Sequence, residues 1–308
     1  MRIVSLLPSA TEICFALGLE DKLAGVTHEC DYPPAALQKP QVTSSRTHEG
    51  LTSREIDNLV RSQLDATGSI YELSFDKLEA LRPDLILTQR LCTVCAVSID
   101  QVREMAAKLS VTPEVVNLEP KSLGEVLGTI ERVADLTGST NGKSIVEGLK
   151  ARIERVKRSV EGLPKPKVLI LEWIDPPFAS GHWIPELVEI AGGKNTVAFK
   201  HAPSREIAWE RVIDSGAEII VVAECGFGIQ RQEEDIRILL DQIGPAKPEL
   251  WVCDGSQYFS RPGPRLVDTL EMLAGIFHKE LREEYLTKYR LGHDFKHLEY
   301  TEYGTAAL

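Results

Sequence analysis

The chain has 308 residues, with 35 basic against 46 acidic side chains and a formal charge of −11. That length exceeds what one hydrophobic core usually serves, so two domains are expected, and the negative balance repels nucleic acid and anionic membrane surfaces, removing both as partners. No run of about 18 apolar residues occurs, which excludes membrane insertion by a helix. The opening Met1-Arg2-Ile3-Val4-Ser5 leads directly into strand-like sequence without room for a signal core. The chain is therefore read as cytoplasmic as written, and as periplasmic only if a leader has been removed.

In chain order, Arg2 to Leu6 reads as a strand, and Ser9 with Glu12 has the spacing of a capping box for a helix that Gly18 stops. Leu23 to Thr27 is a second strand, Leu73 to Leu81 a helix and Asp84 to Thr88 a strand. Ile99 to Leu109 is a helix, Glu114 to Leu118 a strand and Ser122 to Leu136 a helix. Such alternation predicts a parallel sheet covered on both faces. From Thr140 to Leu163, Ile145, Leu149, Ile153, Val156 and Val160 hold one apolar stripe, which predicts a single long helix.

The alternation then restarts. Val168 to Leu171 is a strand, Ile184 to Ala191 and Ala208 to Ser215 are helices, and Glu218 to Ala223 is a strand; Glu233 to Ile243 is a helix, Leu250 to Cys253 a strand and Arg265 to Phe277 a helix. The predicted architecture is α/β: two doubly wound parallel-sheet lobes bridged by a single long α-helix. Its boundaries are 1–139, a linker helix 140–164, 165–280, and a helix and tail over 281–308 packed on the surface.

Six cysteines in a chain this long do not form the disulfide framework of a small secreted domain. Cys14 and Cys253 fall on apolar faces and read as small buried hydrophobes. Cys92-Thr93-Val94-Cys95 is a C-x-x-C that serves either as a redox or metal pair or as a loop of inert thiols. With Cys30, and His28 or His182 as a fourth ligand, it would form a soft set suited to zinc or iron. His48, His201, His278, His293 and His297 lack metal-like neighbours and read as surface residues. Gly226-Phe227-Gly228 lacks the third glycine of a dinucleotide fingerprint and reads as a turn.

Open parallel sheets bind ligands beyond the carboxyl ends of their strands. The residues found there are His28, Glu29 and Cys30; Gln89, Arg90, Cys92 and Cys95; Glu172, Trp173 and Asp175; and Glu224 with Cys225. Pro176 and Pro177 fix the chain around Phe178, which favours stacking of Phe178 on a flat ligand, while Trp183 in the same segment reads equally as a second stacking ring or as packing under the next helix. Tyr258 and Phe259 follow a strand and either complete an aromatic rim or give one of the two to the core.

The ordered segments Ile3 to Glu12, Asp31-Tyr32-Pro33, Leu81 to Ile86, Pro176 to Gly181 and Phe259 to Arg265 resemble the periplasmic solute-binding proteins of cobalamin and iron-chelate ABC importers, a class III solute-binding fold. The resemblance spans about residues 2 to 278. It implies two lobes joined by a rigid helix around a ligand cleft, with Phe178 contacting a corrin and Asp76 and Glu210 docking on an ABC permease. The pattern departs from the family at Glu29, where an aromatic is usual, at Gln257, where an acid is usual, and around Thr43 to Ser69, where an insertion displaces the W-x-G segment.

Two readings follow. In the first the protein is not an enzyme: a cobalamin or other metal chelate is bound by Phe178, Trp183, Tyr258 and Phe259, with His28, Glu29, Arg90, Glu172 and His182 on the polar rim. In the second it is a zinc or iron redox or hydrolytic enzyme that uses Cys30, Cys92 and Cys95, with Glu29, Glu172 or Glu224 moving protons. The first is preferred because binding needs nothing beyond the scaffold that the resemblance covers.

Overall fold

The computed structural model describes residues 1–45, 50–67, 70–89, 99–244 and 246–300. The chain divides into two compact units: Met1–Pro120 with Gly124–Glu147, and Lys121–Leu123 with Gly148–Leu308.

The first unit contains β1 (Ile3–Ser5), α1 (Pro8–Ala16), β2 (Leu23–Val26), β3 (Thr43–Ser45), α2 (Ser53–Thr67), β4 (Tyr71–Leu73), α3 (Phe75–Leu81), β5 (Leu85–Thr88), α4 (Ile99–Ala106), β6 (Glu114–Asn117) and almost all of α5 (Leu123–Thr137). Its sheet has the order β2-β1-β5-β6 and is parallel throughout. The apolar, β-branched strands β1 and β5 are buried along their whole length, as a sheet covered on both faces requires. Val4, Leu6 and Ile86 meet Leu78, Val102 and Ala106 from α3 and α4 in one core.

Two local expectations change. Pro8 occupies the first turn of α1 and Leu7 is its N-cap without a side-chain bond, so Ser9 and Glu12 lie within the helix and are buried rather than capping it. Among the described residues of the insertion around Thr43 to Ser69 are β3 and α2, and β3 pairs antiparallel with β4, with Thr43 opposite Leu73 and Ser45 opposite Tyr71.

The division between the units falls inside α6 (Gly142–Ser159). The second unit then contains β7 (Lys167–Trp173), β8 (Phe178–Ala179), β9 (Gly181–His182), α7 (Ile184–Ile190), β10 (Lys194–Asn195), β11 (Phe199–Lys200), β12 (Arg205–Glu206), α8 (Trp209–Ile213), β13 (Ile219–Val222), α9 (Glu233–Ile243), β14 (Glu249–Cys253), α10 (Leu266–Phe277), α11 (Arg282–Leu286) and β15 (Phe295–Leu298). The sheet order is β12-β8-β7-β13-β14-β15, with β10 also pairing β7. The centre is parallel, while β8, β12 and β15 add antiparallel edges. Leu169, Leu171, Ile220, Val222, Leu250 and Val252 point to one face and pack on Ile236, Leu239 and Leu240 of α9.

Residues 281–300 are not a surface tail, and the rest of the expected tail lies outside the described residues. Tyr285, Phe295 and Leu298 are buried, and β15 pairs with β14 from Cys253↔Phe295 to Leu250↔Leu298. His278 is 3% exposed, with Nε2 3.0 Å from the Ala191 carbonyl, so it belongs to the core and not to the surface. Gly192 gives it room: a Cβ there would lie 2.7 Å from that same nitrogen. Cys14 and Cys253 are buried as expected, and burial pushes the Cys14 thiol up to about 12.

Arg152 of α6 donates to Glu271 of α10 from Nε (3.0 Å) and Nη2 (2.6 Å), and it also pairs with Asp268; Lys288 donates to the same Glu271. Burial works to raise the Glu271 carboxyl, but the hydrogen bonds from Arg152 and Lys288 outweigh it and hold the group below the usual carboxylate range. Removing the guanidinium leaves two carboxylates short of a partner. Arg152→Met is therefore expected to destabilise the fold by about 3 kcal/mol, read as a lower urea midpoint.

Candidate functional site

In the first unit the carboxyl end of β2 leads into a chain of hydrogen bonds. Thr43 Oγ1 lies 2.7 Å from Thr27 Oγ1, 2.7 Å from His28 Nδ1 and 3.0 Å from the His28 backbone N–H, which it accepts. His28 Nε2 is 3.1 Å from Glu29 Oε1, and the Tyr71 hydroxyl donates to the same oxygen at 3.4 Å. Nε2 faces that carboxylate without a hydrogen bond, and the hydroxyls of Thr27 and Thr43 can each donate or accept along this chain. The Tyr71 ring meets His28 edge-on at 5.0 Å. The inserted β3 and β4 thus supply Thr43 and Tyr71, which orient the predicted pair His28 and Glu29.

Cys30 does not share that rim. It is 1% exposed, and its Sγ lies 3.0 Å from Thr11 Oγ1 on α1, where the chain packs. Arg90, Cys92 and Cys95 lie outside the described residues. Among the described residues, no three His, Cys, Asp or Glu side chains are grouped to hold a metal ion.

In the second unit the carboxyl ends of β7 and β13 lie side by side, because the two strands are parallel neighbours in register. Trp173 ends β7 and is paired across the hairpin with Phe178 of β8. Its ring tilts on Phe227, with centroids 4.9 Å apart, and the Arg231 guanidinium sits 4.4 Å above Phe227. Trp173, Phe178 and Phe227 are all part-exposed. Trp173 Nε1 donates to the Asp175 carbonyl at 3.1 Å, which fixes the indole plane. Phe227 was missed by sequence reasoning. The signal was the aromatic between Gly226 and Gly228 just past a strand, set aside with the failed dinucleotide fingerprint.

Glu172 accepts from the Gly181 N–H at 3.3 Å and from the Ser204 hydroxyl. Desolvation dominates those bonds and pushes its carboxyl up to about 7. His182 adopts φ +52° and stacks beside Trp183 at 5.4 Å; burial, then the charge of Lys121, lowers its basicity.

The other predicted aromatics turn inward. Trp183 is 4% exposed and donates Nε1–H to the Phe259 carbonyl at 3.1 Å; Phe259 is buried, and Tyr258, also buried, packs edge-on against Tyr289. Gln257 donates to both oxygens of Asp254 at 2.7 Å and accepts from Arg265 at 3.2 Å. Asp76 and Glu210 are exposed in the first turns of α3 and α8.

Residues 3–241 match the model of the periplasmic binding protein family. The chain belongs to that family. It is similar to the vitamin B12-binding protein of Vibrio cholerae serotype O1, 24% identical over 276 residues that cover 88% of this chain and 87% of the relative. A vitamin B12-binding protein of Yersinia pseudotuberculosis is 23% identical over 278 residues, covering 88% and 84%. Among solved structures, a periplasmic heme-binding protein of Pseudomonas aeruginosa superposes with a TM-score of 0.68 at 19% identity, covering 90% of this chain and 92% of that one. The periplasmic vitamin B12 binding protein of Vibrio cholerae gives 0.62 at 22%, covering 92% and 98%. The α/β class III solute-binding fold expected from the sequence is thereby established.

One expectation is overturned. The cytoplasmic reading rested on how the chain begins, whereas the periplasmic binding protein family and the solved relatives are periplasmic.

The raised Glu172 carboxyl has a consequence for stability. Its folded-state value of about 7 exceeds the ordinary 4.5 of a glutamate side chain, so the native state binds the proton more tightly and stability falls as pH rises from about 4.5 to about 7. Glu172→Gln is expected to flatten that slope, by on the order of 1 kcal/mol after solvent screening, in denaturation midpoints measured across the window.

Proposed function

We propose that this protein captures a corrinoid or a related metal-bearing macrocycle and hands it to an ABC permease, without making or breaking a covalent bond. The observation that carries this reading is the part-exposed aromatic face of Trp173, Phe178 and Phe227 at the carboxyl ends of β7 and β13. A large flat ligand gains burial and stacking on such a face, and rings already fixed by packing lose little entropy. The vitamin B12-binding relatives support this choice of ligand class. Glu172, which ends β7 beside Trp173, is the group that meets polar side groups of the macrocycle there. The enzyme reading is less well supported, because Cys30 is spent on core packing against α1.

Titration of the purified protein with cyanocobalamin and, separately, hemin, followed by absorption and calorimetry, tests the reading. Saturable one-to-one binding of at least one is expected, and binding of neither would overturn it. Phe178→Ala and Trp173→Ala are each expected to weaken binding by about 0.5–1.5 kcal/mol, roughly two- to tenfold.

Asp76 and Glu210 are proposed to dock on cationic residues of the permease. Asp76→Lys and Glu210→Lys should leave ligand affinity unchanged while lowering ligand uptake by cells that carry the cognate permease. Undiminished uptake by the double variant would remove that role.

A further inference from the structure

Arg231 lies in the single turn Ile229–Gln232 that leads from the Phe227 loop into α9. Its guanidinium rests on the Phe227 ring, 4.4 Å from the centroid, and Nη1 approaches Asp235 Oδ2 at 3.5 Å. That distance is longer than a normal N–H···O bond, so the stack on the ring, more than the acid, sets where the charge sits. Asp235 is 2% exposed, whereas 33% of the Arg231 side chain faces solvent. Phe227 is in turn held by its backbone. Its N–H donates to the Glu224 carbonyl at 3.0 Å, and its carbonyl accepts from the Gly255 N–H at 3.0 Å and from Gln232 Nε2 at 3.3 Å. The result is a part-exposed cation fixed at the border of the part-exposed rings Trp173 and Phe227.

We propose that Arg231 is a specificity-determining residue, which pairs with an oxyanion, carboxylate or phosphate, carried by the flat ligand that stacks on Trp173, Phe178 and Phe227. This role rests on the ligand reading above. A planar guanidinium matches two oxygens of such a group at once, and stacking on a ring leaves its N–H edge for that contact. A charge already held in place loses little freedom on pairing. The ion pair with Asp235 does not by itself account for the arrangement, because a part-exposed pair at that distance contributes little stability. Burial drives the carboxyls of Glu172 and Glu224 toward the neutral form, Glu172 to about 7 and Glu224 well above the usual range. This strand edge therefore opposes an anion less than its sequence suggests. Stacking alone selects poorly among flat molecules, since every one of them offers a π-face, so a cation at the border adds a choice by charge.

The test separates this role from the ligand reading. In the full chain, the guanidinium NMR resonance of Arg231, assigned by its absence in Arg231→Gln, is followed during titration with phenyl phosphate and with phenol. Phenyl phosphate should shift it saturably, and phenol, which lacks the oxyanion, should leave it in place. No shift with phenyl phosphate overturns the proposal whatever the natural ligand. Two ligand pairs then identify the oxyanion: cyanocobalamin against cobinamide, which lacks the phosphate, and hemin against its dimethyl ester, which lacks the free carboxylates. Arg231→Gln should weaken the anion-bearing member by about tenfold, the scale of a lost hydrogen bond to a charged group, and change its anion-free counterpart by less than about twofold. An effect confined to the cobalamin pair assigns a phosphate, and one confined to the hemin pair assigns a carboxylate. Equal weakening of both members of each pair means that Arg231 only braces the Phe227 ring, which overturns the recognition role. Failure of wild type to bind any macrocycle overturns the ligand reading, whereas the phenyl phosphate titration still decides whether Arg231 takes an oxyanion.

Discussion

A parallel sheet covered on both faces has nowhere to put polar chemistry except at the ends of its strands. β1, β5 and β13 are buried along their whole length and consist almost entirely of Val, Ile and Leu, so no charged group survives in their middles. The polar and aromatic residues therefore gather where the strands stop. His28 and Glu29 follow β2, Glu172 and Trp173 end β7, and Glu224 follows β13. The candidate site follows from this constraint, because neighbouring parallel strands in register deliver their terminal side chains to a common edge.

Within the second unit, burial sorts chemically similar groups into different states. Glu271 is buried yet held ionised, because two cations reach it. Glu172 is desolvated with only a hydroxyl and one amide for company, and it sits near neutrality. Glu224 accepts one amide N–H, and burial pushes its carboxyl well above the usual range. The direction follows the number and charge of donors rather than exposure alone. In the first unit the Thr43 hydroxyl fixes one His28 ring nitrogen, and the other faces the Glu29 carboxylate.

What the sequence disclosed and what it hid divide along the range of the deciding contact. The helix Glu233–Ile243 was legible residue for residue, because its apolar spacing is set within a few turns. The first helix was misread at its start, because Pro8 at the first turn overrides a capping box that Ser9 and Glu12 merely imitate. Two-residue strands such as β8 and β12 exist only through their partners and leave no periodic trace. Trp173 and Trp183 look alike in sequence. Which of them faces outward is decided by the carbonyl of Phe259, 76 positions beyond Trp183. His278 is interior because Gly192, on another element, leaves space for its ring.

The strand formed by Phe295–Leu298 has an effect beyond its own stability. By pairing with β14 it occupies main-chain groups that would otherwise lie open along one border of the second sheet. An uncovered border of Leu250, Trp251 and Val252 is an invitation to another chain in solution. The final segment thus acts as a built-in guard against self-association, and a protein clipped ahead of Phe295 would be prone to stick to its own copies before it ever met a ligand.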